Sequence, residues 1–589
     1  MSTQSHPLIA DRPQAARSFP GRAPARLLSM FPLRPLSALL WLSLPAWAAA
    51  QVAPPLPSAG SLLQQVQPAA PVQRANPETG LSLQRPDGQT LPASAPFEVR
   101  AITISGNTLI ATDTLAALVA DGVGQRLTLQ QLDALAARIT EAYQRAGYPL
   151  TRAIVPAQTI TEGRVSLQVI EARFGALRIN NSSRTSDRLL AGTLAPLAPG
   201  EAIAQDRLDR ALLLLADIPG VQATSVLEPG AAVGSTNMQV DVQAGPAVTG
   251  QLSLDDAGSA ATGRARLNGL LSLINPLGLG DVLSVNALTA GPGLSYGRLA
   301  YELLADGSGT RLGVSASALR YSLVGSLAGL QAHGTARVVG LSLRQPLLRR
   351  GDVNLSAALT LDRTELRDHV DSSSLASDRN LRNAGLSLQG DRVDGFGGGG
   401  VTLVALGWTS GQVDFDQLPA QQADAALAQT QGRYSKWTLN LARQQVLGQS
   451  TNLYMNLSVQ RADRNLDASQ KLSAGGPNAV RGYDTGVAPG DEGEVLSVEV
   501  RRSLVLPALA GQWQAIAFAD TAHMTINRKP FAAGANSLTL SGAGLGLAWA
   551  AASDGLQARL SVAAPVGALP AALNLSRTTR WWLEASKRF

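Results

Sequence analysis

The stretch VNLSAALTLD, residues 353–362, alternates apolar and polar side chains along most of its length. The same period of two appears in residues 453–460 and 496–501. Successive side chains of a β-strand point to opposite faces, so each stretch predicts a strand with one apolar face. Segments of about ten residues with this pattern are typical of outer-membrane β-barrels.

Outward from these stretches, the alternation extends over residues 247–589. Sixteen candidate strands begin near residues 247, 262, 281, 294, 311, 334, 351, 380, 399, 432, 449, 493, 511, 537, 555 and 578. A closed antiparallel barrel in a bacterial single chain needs an even number of strands, and closure pairs every backbone group in lipid. The sequence therefore predicts a mainly β fold with a 16-stranded antiparallel transmembrane β-barrel, in which the glycine-rich strand at 537 has the weakest pattern.

A soluble β-sandwich would also alternate, but sixteen hairpin-linked strands exceed the usual size of an open sheet. The aromatic content of 4% is low for a barrel with aromatic girdles. We expect Trp437, Trp513, Trp581 and Trp582, near strand ends, to lie at the membrane interfaces. The C-terminal Phe589 resembles the aromatic signal by which bacterial barrels are recognised for assembly.

The N-terminus predicts a secretory signal peptide over residues 1–50. It is basic, it has a short apolar core at residues 36–44, and small residues at 46–50 fit a cleavage site. Residues 51–96 are rich in Pro, Gln, Ala and Ser, which predicts a linker. Either this linker is disordered throughout, or one short helix interrupts it. For that helix, Ser61 and Gln64 form a capping-box pattern, followed by Val66, and Leu62 and Leu63 are its apolar residues.

Two α+β units are predicted before the barrel, over residues 97–175 and 176–246. In the first, a strand and a short helix precede a capping box at Thr128 and Gln131, and two strands follow. The helix after this box has one apolar face, formed by Leu132, Leu135, Ile139 and Tyr143. The second unit repeats the order β-α-α-β-β, with Leu208, Leu212 and Leu215 facing inward from its second helix.

Composition excludes several classes of function. The 589-residue chain has no cysteine, so disulfides, thiol catalysis and cysteine-based metal sites are absent. The four histidines, at positions 6, 333, 369 and 523, have no metal-ligand spacing, and we expect no metal and no cofactor. Despite a net charge of +6, no run of Lys and Arg with interleaved aromatics predicts nucleic-acid binding. No nucleophile and base pattern appears, so we expect no enzyme.

One glycine-rich loop carries a lone arginine. Residues 475–486, GGPNAVRGYDTG, place Arg481 between two candidate strands. Such a loop either faces water or folds into the lumen as a gate. Phe518 and Asp520 are two residues apart on a later strand and therefore share a face. Because charge toward lipid is unfavourable, we expect that face to line the lumen.

Several short motifs occur in a specific order. In the first α+β unit they are GNT at 106–108, YQRAGY at 143–148, TRA at 151–153, VPAQ at 155–158, GRV at 163–165 and VIE at 169–171. In the barrel they are NPLGLGD at 275–281, VRGY at 480–483 and FAD at 518–520. Over nearly the whole chain after the leader, this series resembles the outer-membrane translocator (TpsB) of two-partner secretion, of the haemolysin secretion/activation (ShlB/FhaC/HecB) type, within the superfamily that includes BamA.

The resemblance implies a protein of the bacterial outer membrane whose α+β units are periplasmic POTRA domains. It implies that a secreted TpsA-type exoprotein, such as a haemolysin or adhesin, binds these domains unfolded through its N-terminal secretion domain and crosses the membrane through the barrel pore, without ATP or a proton gradient. We expect each POTRA domain to expose a strand edge for pairing with the client. Further expected partners are outer-membrane lipid, the barrel-assembly machinery and periplasmic chaperones, with the translocator itself a monomer.

The resemblance also implies roles for individual residues. Arg481, in the motif that begins at Val480, would fold inward and pair with Asp520. Gly482 would permit a tight loop tip, and Tyr483 would pack beside Phe518. The helix near Ser61 would be a removable plug. Two other functions stay open: a barrel-assembly insertase of the same superfamily, which predicts more than two POTRA domains, and a passive porin, which needs none.

Overall fold

The structure is a computed structural model that describes residues 56–67, 81–83, 94–573 and 577–589. The predicted signal peptide and most of the predicted linker lie outside these ranges. No helix in the part of the chain that the structure describes is both long and apolar enough to span a membrane.

A short helix precedes the folded domains. Helix α1 (Ala59–Val66) begins after Ser58, whose side chain accepts a hydrogen bond from the backbone of Ser61. The Ser61 side chain in turn accepts one from the Ser58 backbone at 2.9 Å. The predicted capping pair of Ser61 with Gln64 is therefore wrong, because a cap one turn earlier satisfies two backbone donors and lets Ala59 join the buried face.

The first α+β unit contains the predicted helices and strands, together with one short strand between the two helices that was not predicted. Its elements, preceded by strand β1 (Leu81–Leu83), are β2 (Phe97–Glu98), β3 (Ala101–Ser105), α2 (Thr112–Val119), β4 (Arg126–Leu127), α3 (Leu129–Arg145), β5 (Arg152–Ile154) and β6 (Arg164–Ile170). Thr128 and Gln131 form the predicted capping box of α3. The predicted apolar face of α3 packs on the sheet β3-β6-β5, and its four residues are 5% exposed or less. Strand β5 ends at Ile154, shortly before Pro156, which has no N–H with which to continue a strand.

The second α+β unit is extended by a strand from outside it. Its elements are β7 (Arg173–Asn181), α4 (Asp187–Leu194), α5 (Gln205–Ala216), β8 (Val221–Pro229) and β9 (Ser235–Ala244). The sheet order is β1-β8-β9-β7, in which β1 pairs in parallel with β8, with Leu81 opposite Ser225. The expected open edge is thus absent at β8, because the chain's own β1 supplies the pairing there. Strand β7 is the other edge of this sheet.

Sixteen of the described strands form a closed antiparallel barrel, which confirms the predicted fold. They are β10 (Val248–Asp255), β11 (Arg266–Ile274), β12 (Val282–Thr289), β13 (Leu294–Leu304), β14 (Arg311–Ser322), β15 (Ala332–Arg349), β16 (Val353–Val370), β17 (Leu375–Asp394), β18 (Gly400–Phe415), β19 (Gly432–Val446), β20 (Thr451–Ala462), β23 (Glu492–Leu504), β24 (Gln512–Thr525), β25 (Ser537–Ala550), β26 (Leu556–Pro565) and β27 (Arg580–Arg588). Helix α6 (Leu418–Ala426) lies between β18 and β19. A hairpin of β21 (Leu472–Ala474) and β22 (Ala488–Gly490) lies between β20 and β23. The largest error in a predicted start is at β17, predicted near 380 and observed from Leu375. The glycine-rich segment at 537 forms the full strand β25.

The first and last strands close the barrel. Strands β10 and β27 pair from Gln251 opposite Arg588 to Asp255 opposite Glu584. Beyond this ladder, Gly250 and Phe589 exchange backbone hydrogen bonds of 2.8 and 3.0 Å. The predicted assembly residue thus closes the last strand. Its role in recognition by the assembly machinery stays a prediction.

Burial separates the two faces of the barrel wall. On β17, Leu381 is 0% exposed, whereas Leu386 is 53% exposed. The exposed face carries a band of leucines, which includes Leu341, Leu343, Leu359, Leu361, Leu386 and Leu388. Because an apolar band of this kind faces lipid, the opposite face lines the lumen.

Two contacts fix the second α+β unit to one end of the barrel. Arg349, at the end of β15, forms a bidentate pair with Asp217, with nitrogen to oxygen distances of 2.7 and 2.8 Å. Asn275, in the turn after β11, donates a hydrogen bond to Thr185 Oγ1 at 2.8 Å. Asp281 closes the same turn by accepting from two of its backbone N–H groups. The turns after β11 and β15 therefore mark the end of the barrel that carries the α+β units.

Candidate functional site

The long connection between β20 and β23 folds into the lumen. Its tip holds the predicted gate motif, in which Val480 is 0%, Arg481 3% and Tyr483 3% exposed. A solvated surface loop would leave these side chains open to water. The tip instead packs against the inner faces of β23 to β27, described below.

Arg481 is bound to the lumen wall through one face of its guanidinium group and through its edges. Its Nε donates to Asp520 Oδ2 at 2.8 Å and its Nη2 donates to Asp520 Oδ1 at 2.6 Å, a bidentate pair. Its Nη1 donates to Glu499 at 2.5 Å and its Nη2 also donates to Ser497 at 2.9 Å. The guanidinium carbon lies 3.4 Å from the centre of the Phe518 ring. The structure thus brings together the arginine, the carboxylate and the phenylalanine that the sequence singled out.

Sequence reasoning missed Glu499, the second acid at this site. Glu499 is 4% exposed and is shared by Arg481, by Arg501 at 2.6 Å and by Arg559 at 3.1 Å. Three arginines, one from the loop and two from the wall, therefore surround two wall carboxylates. The available signal was the polar alternation of Ser497, Glu499 and Arg501 along one strand face, but that pattern alone does not select a partner for a distant loop.

Gly482 and Tyr483 hold the loop tip against other parts of the wall. A Cβ atom on Gly482 would come within 3.0 Å of the backbone of Ala564 and Pro565, so the close approach needs a glycine. The expected contact of Tyr483 with Phe518 is wrong. Because the Arg481 guanidinium covers the Phe518 ring, Tyr483 packs farther along the wall in an apolar cluster with Val480, Ala522, Met524, Leu538 and Leu540.

The four predicted interfacial tryptophans do not share one environment. Trp582 is 5% exposed, faces the lumen and donates through Nε1 to the carbonyl of Arg481 at 2.8 Å, so its assignment to the membrane interface is wrong. Its neighbour Trp581 points the opposite way and is 61% exposed. Trp437 is 53% exposed but lies within β19 rather than near its end. Trp513 lies near the start of β24.

Helix α1 occupies the lumen on the side opposite the Arg481 site. Its apolar residues join one cluster with lumen-facing side chains of β12 to β20, and these residues are Leu62, Leu63 and Val66, at 1%, 3% and 7% exposure. On its other side, Gly60 lies so close to Ser469 that a Cβ would come within 2.9 Å. The helix is therefore wedged between the wall and the inward loop, with Ser61 at its capped end.

A charged network, also missed at the sequence level, ties this helix to the loop. Asp368 of β16 accepts hydrogen bonds from the backbone N of Ala59 at 2.7 Å, from Tyr321 Oη at 2.8 Å and from Arg379 Nη1 at 2.8 Å. Arg379 also donates to Asp467 of the inward loop. The carboxylate thus lies at the N-terminus of α1, where the helix dipole favours a negative charge. Helix, wall and loop share one set of buried charges.

In the first α+β unit, motif residues converge on a buried carboxylate. Glu171, 8% exposed, accepts from the Thr108 hydroxyl, from the backbone of Thr108 and Leu109, and from Tyr143 Oη at 2.9 Å. Burial raises the pKa of Glu171, but these hydrogen bonds outweigh it and hold the pKa below its ordinary value. Burial and the adjacent carboxylate raise the pKa of Tyr143. Residues from three of the motifs, at 106–108, 143–148 and 169–171, therefore stabilise the fold of this unit.

No three histidine, aspartate or glutamate side chains are arranged as metal ligands within the residues that the structure describes. Two separate elements fill the lumen, and ion pairs as well as apolar contacts hold them there.

Comparison with known families agrees with this arrangement. The POTRA domain model of the ShlB type matches residues 97–172. The barrel and the POTRA domains place the chain in the class of outer-membrane protein translocators. The chain belongs to the family described as haemolysin secretion/activation protein ShlB/FhaC/HecB, whose model matches residues 234–549. Members of this family are transporters of secreted exoproteins.

Individual relatives cover most of the chain. The heme/hemopexin transporter protein HuxB of Haemophilus influenzae (strain 86-028NP) is 28% identical over 68% of this chain and 70% of its own length. The outer membrane transporter CdiB of Dickeya dadantii is 24% identical over 73% of this chain and 76% of its own. The solved structure of CdiB from Escherichia coli shares the fold, with a TM-score of 0.68, 22% identity, and coverage of 87% of this chain and 94% of that one.

Proposed function

We propose that this translocator binds an unfolded TpsA-type exoprotein through its POTRA domains and exports it through the barrel lumen, after α1 and the inward loop have moved. The observation that carries the proposal is the binding of Arg481 to Asp520 and Glu499 of the lumen wall. The loop tip that closes the lumen is held by ion pairs at Arg481 and by a small apolar cluster around Val480 and Tyr483.

The chemistry of that binding favours a gate. Breaking a buried ion pair by removing one partner costs about 3–5 kcal/mol, because the other charge is left buried without a partner and without hydration. When the whole tip leaves and water fills the lumen, Asp520 and Glu499 are hydrated instead. The free-energy difference between closed and open positions is then much smaller than for an apolar core of the same size.

Client binding would use strand pairing at the POTRA domains. An extended segment can add to a sheet edge through main-chain hydrogen bonds, with little demand on its sequence. At β8 of the second domain that edge is taken by β1. A client that pairs with β8 must therefore displace β1, a segment that lies between α1 and the first POTRA domain. Client arrival and release of the linker would be coupled by this competition.

The test is secretion by an Arg481→Ala variant, with a cognate exoprotein co-expressed. We expect the barrel to insert normally, judged by the heat-dependent gel mobility of folded barrels, and the exoprotein in the culture supernatant to fall at least tenfold. The reason is that Asp520 and Glu499 lose their shared partner and the loop loses its seat. Arg461→Ala is the matched control, since it removes an exposed pair with Glu494 at 2.8 Å. Normal secretion by Arg481→Ala would refute the gate.

The barrel-assembly alternative has less support. It predicts more than two POTRA domains, and the described residues before the barrel form two α+β units. A passive porin needs neither these units nor a lumen filled by two elements.

A further inference from the structure

The outer face of strands β15 to β19 carries a row that includes three arginines. Along one line of paired residues, the register places Val339 beside Arg363, Arg363 beside Arg382, Arg382 beside Gln412, and Gln412 beside Arg433. Side chains directly opposite one another on neighbouring strands have Cβ atoms about 4.5–5.5 Å apart. The row therefore brings three arginines together on one side of the barrel, and none of its five members is acidic.

These arginines lie outside the lumen. Alternate residues of a strand share a face, and Leu386, four residues along β17 from Arg382, is 53% exposed among the lipid-facing leucines. Leu381 and Asn383, on either side of Arg382, face the lumen and are 0% and 8% exposed. The arginine row thus belongs to the membrane-facing surface.

The row lies at the boundary of the apolar band that is far from the POTRA domains. On β17 the outer side chains between Arg382 and Arg392 carry no charge, and they are Ala384, Leu386, Leu388 and Gly390. Ten strand residues span about 33 Å, or about 25 Å of depth at a tilt near 40°, which matches the height of the apolar band. Arg392 pairs with Val353, next to the turn where Arg349 binds the second POTRA domain. Arg382 therefore lies in the outer leaflet.

The row has almost no protein partners. The side chains of Arg382 and Arg433 make no hydrogen bond or ion pair with any described residue, and Arg363 reaches Glu365 at 3.4 Å with both side chains partly exposed. By contrast, Arg461 on another part of the same rim is paired. Like charges directly opposite each other destabilise a strand pair. Arg363 and Arg382 are such a pair, so an anion between them would stabilise the wall.

We propose that Arg363, Arg382 and Arg433 bind the phosphate groups of phosphorylated lipids in the outer leaflet. The guanidinium fork fits a phosphate with two parallel hydrogen bonds, and it remains charged at any relevant pH. Headgroup phosphates lie just beyond the acyl chains, which is the depth of the row. The acids next to the row, Glu365 and Asp414, lie two residues farther along their strands, on the side away from the apolar band, where they contact Arg363 and Gln412. This lipid site is independent of the lumen and of export.

The test uses the full-length protein in phosphatidylcholine nanodiscs with added bis-phosphorylated lipid A. Bound lipid is counted by native mass spectrometry and the shift in Tm is measured. We expect the Arg363→Gln/Arg382→Gln variant to retain at least tenfold less lipid A than the wild type. The matched control, Arg392→Gln/Arg502→Gln, removes two outer-face arginines at the opposite boundary and should retain the wild-type amount.

A second measurement needs no variant. The wild type should retain lipid A with two phosphates and lose it when both phosphates are removed, and inorganic phosphate at the same concentration should not compete. Equal retention by test and control variants would overturn the proposal, as would retention of dephosphorylated lipid or displacement by free phosphate. A dimer that dissociates only in the test variant would assign the row to a second copy of the chain and would also overturn it.

Discussion

The contact between Asp368 and the N-terminus of α1 predicts how firmly the lumen helix is held. In Asp368→Asn, the side chain keeps its shape but loses its charge. The three hydrogen bonds that Asp368 accepts, from Ala59 N, Tyr321 and Arg379, are 2.7–2.8 Å long. Charge-assisted hydrogen bonds contribute about 1.5–3 kcal/mol and neutral ones about 0.5–1.5 kcal/mol. An anion at a partly buried helix N-terminus adds up to about 2 kcal/mol.

Of these contacts, only the one to Ala59 and the dipole interaction act directly on α1. Their weakening sums to about 2 kcal/mol, which is a factor of about 30 in the population of the undocked helix. The chain has no cysteine, so a single Ala59→Cys reports on docking without background. Ala59 is 0% exposed, and a bulky maleimide reacts with the introduced thiol only when the helix has left its seat.

We expect the labelling rate of the Ala59→Cys protein to rise about tenfold to thirtyfold when Asp368→Asn is added. Asp362→Asn is the control, because Asp362 lies on the same strand and bonds Asn383 and Thr364 rather than the helix. A labelling rate that changes by less than twofold in Asp368→Asn would refute the idea that this carboxylate holds α1.

Three further predictions follow from the lumen and the first POTRA domain. Deletion of residues 51–90 should raise single-channel conductance in planar bilayers, because α1 is then missing from the lumen. An unchanged conductance would refute the idea that α1 is a plug. Gly482→Ala should expose the loop tip to hydrogen exchange, since overpacking against backbone costs about 1–3 kcal/mol, while gel mobility of the barrel stays normal. The pKa of Glu171 in the folded protein lies below its unfolded value of about 4.3, so its contribution to stability is complete above that pH and is lost as the pH falls through the folded pKa. In the wild-type full-length protein, amide protection of residues 97–172 should decrease when the pH is lowered below about 4.5. In Glu171→Gln the protection should be lower and should depend less on pH. Identical pH profiles of the two proteins would contradict this account.

The barrel could be predicted because the pattern that identifies each strand is contained in a short segment of sequence. Alternation within ten residues identifies a strand and its apolar face, so even the glycine-rich β25 was found at its start, Ser537. Which of two adjacent residues faces the lumen depends on the register of the whole wall. Trp581 and Trp582 show this, since both are aromatic and only one is inside. The cap at Ser58 was missed for a similar reason, because two serines three residues apart offer competing starts.

The contents of the lumen could not be derived from local pattern. Nothing in the loop sequence around Arg481 distinguishes a surface loop from an inward one, and only the resemblance of its motif to a known family suggested the partner Asp520. Glu499 and the network of Asp368, Arg379 and Asp467 join residues that are far apart in the chain. Their meeting depends on barrel closure and on the path of the loop, which no short segment encodes.

Strand β1 has a consequence for what α1 can do after it leaves the lumen. Residues 67–80 join the end of α1 to the start of β1, and fourteen extended residues reach at most about 50 Å. While β1 stays paired with β8, the helix is tethered to the second POTRA domain, beside the barrel. Its effective local concentration then remains in about the millimolar range, so re-entry is an intramolecular step. Once the client has left and β1 has paired with β8 again, the pore would reseal without a second protein to close it.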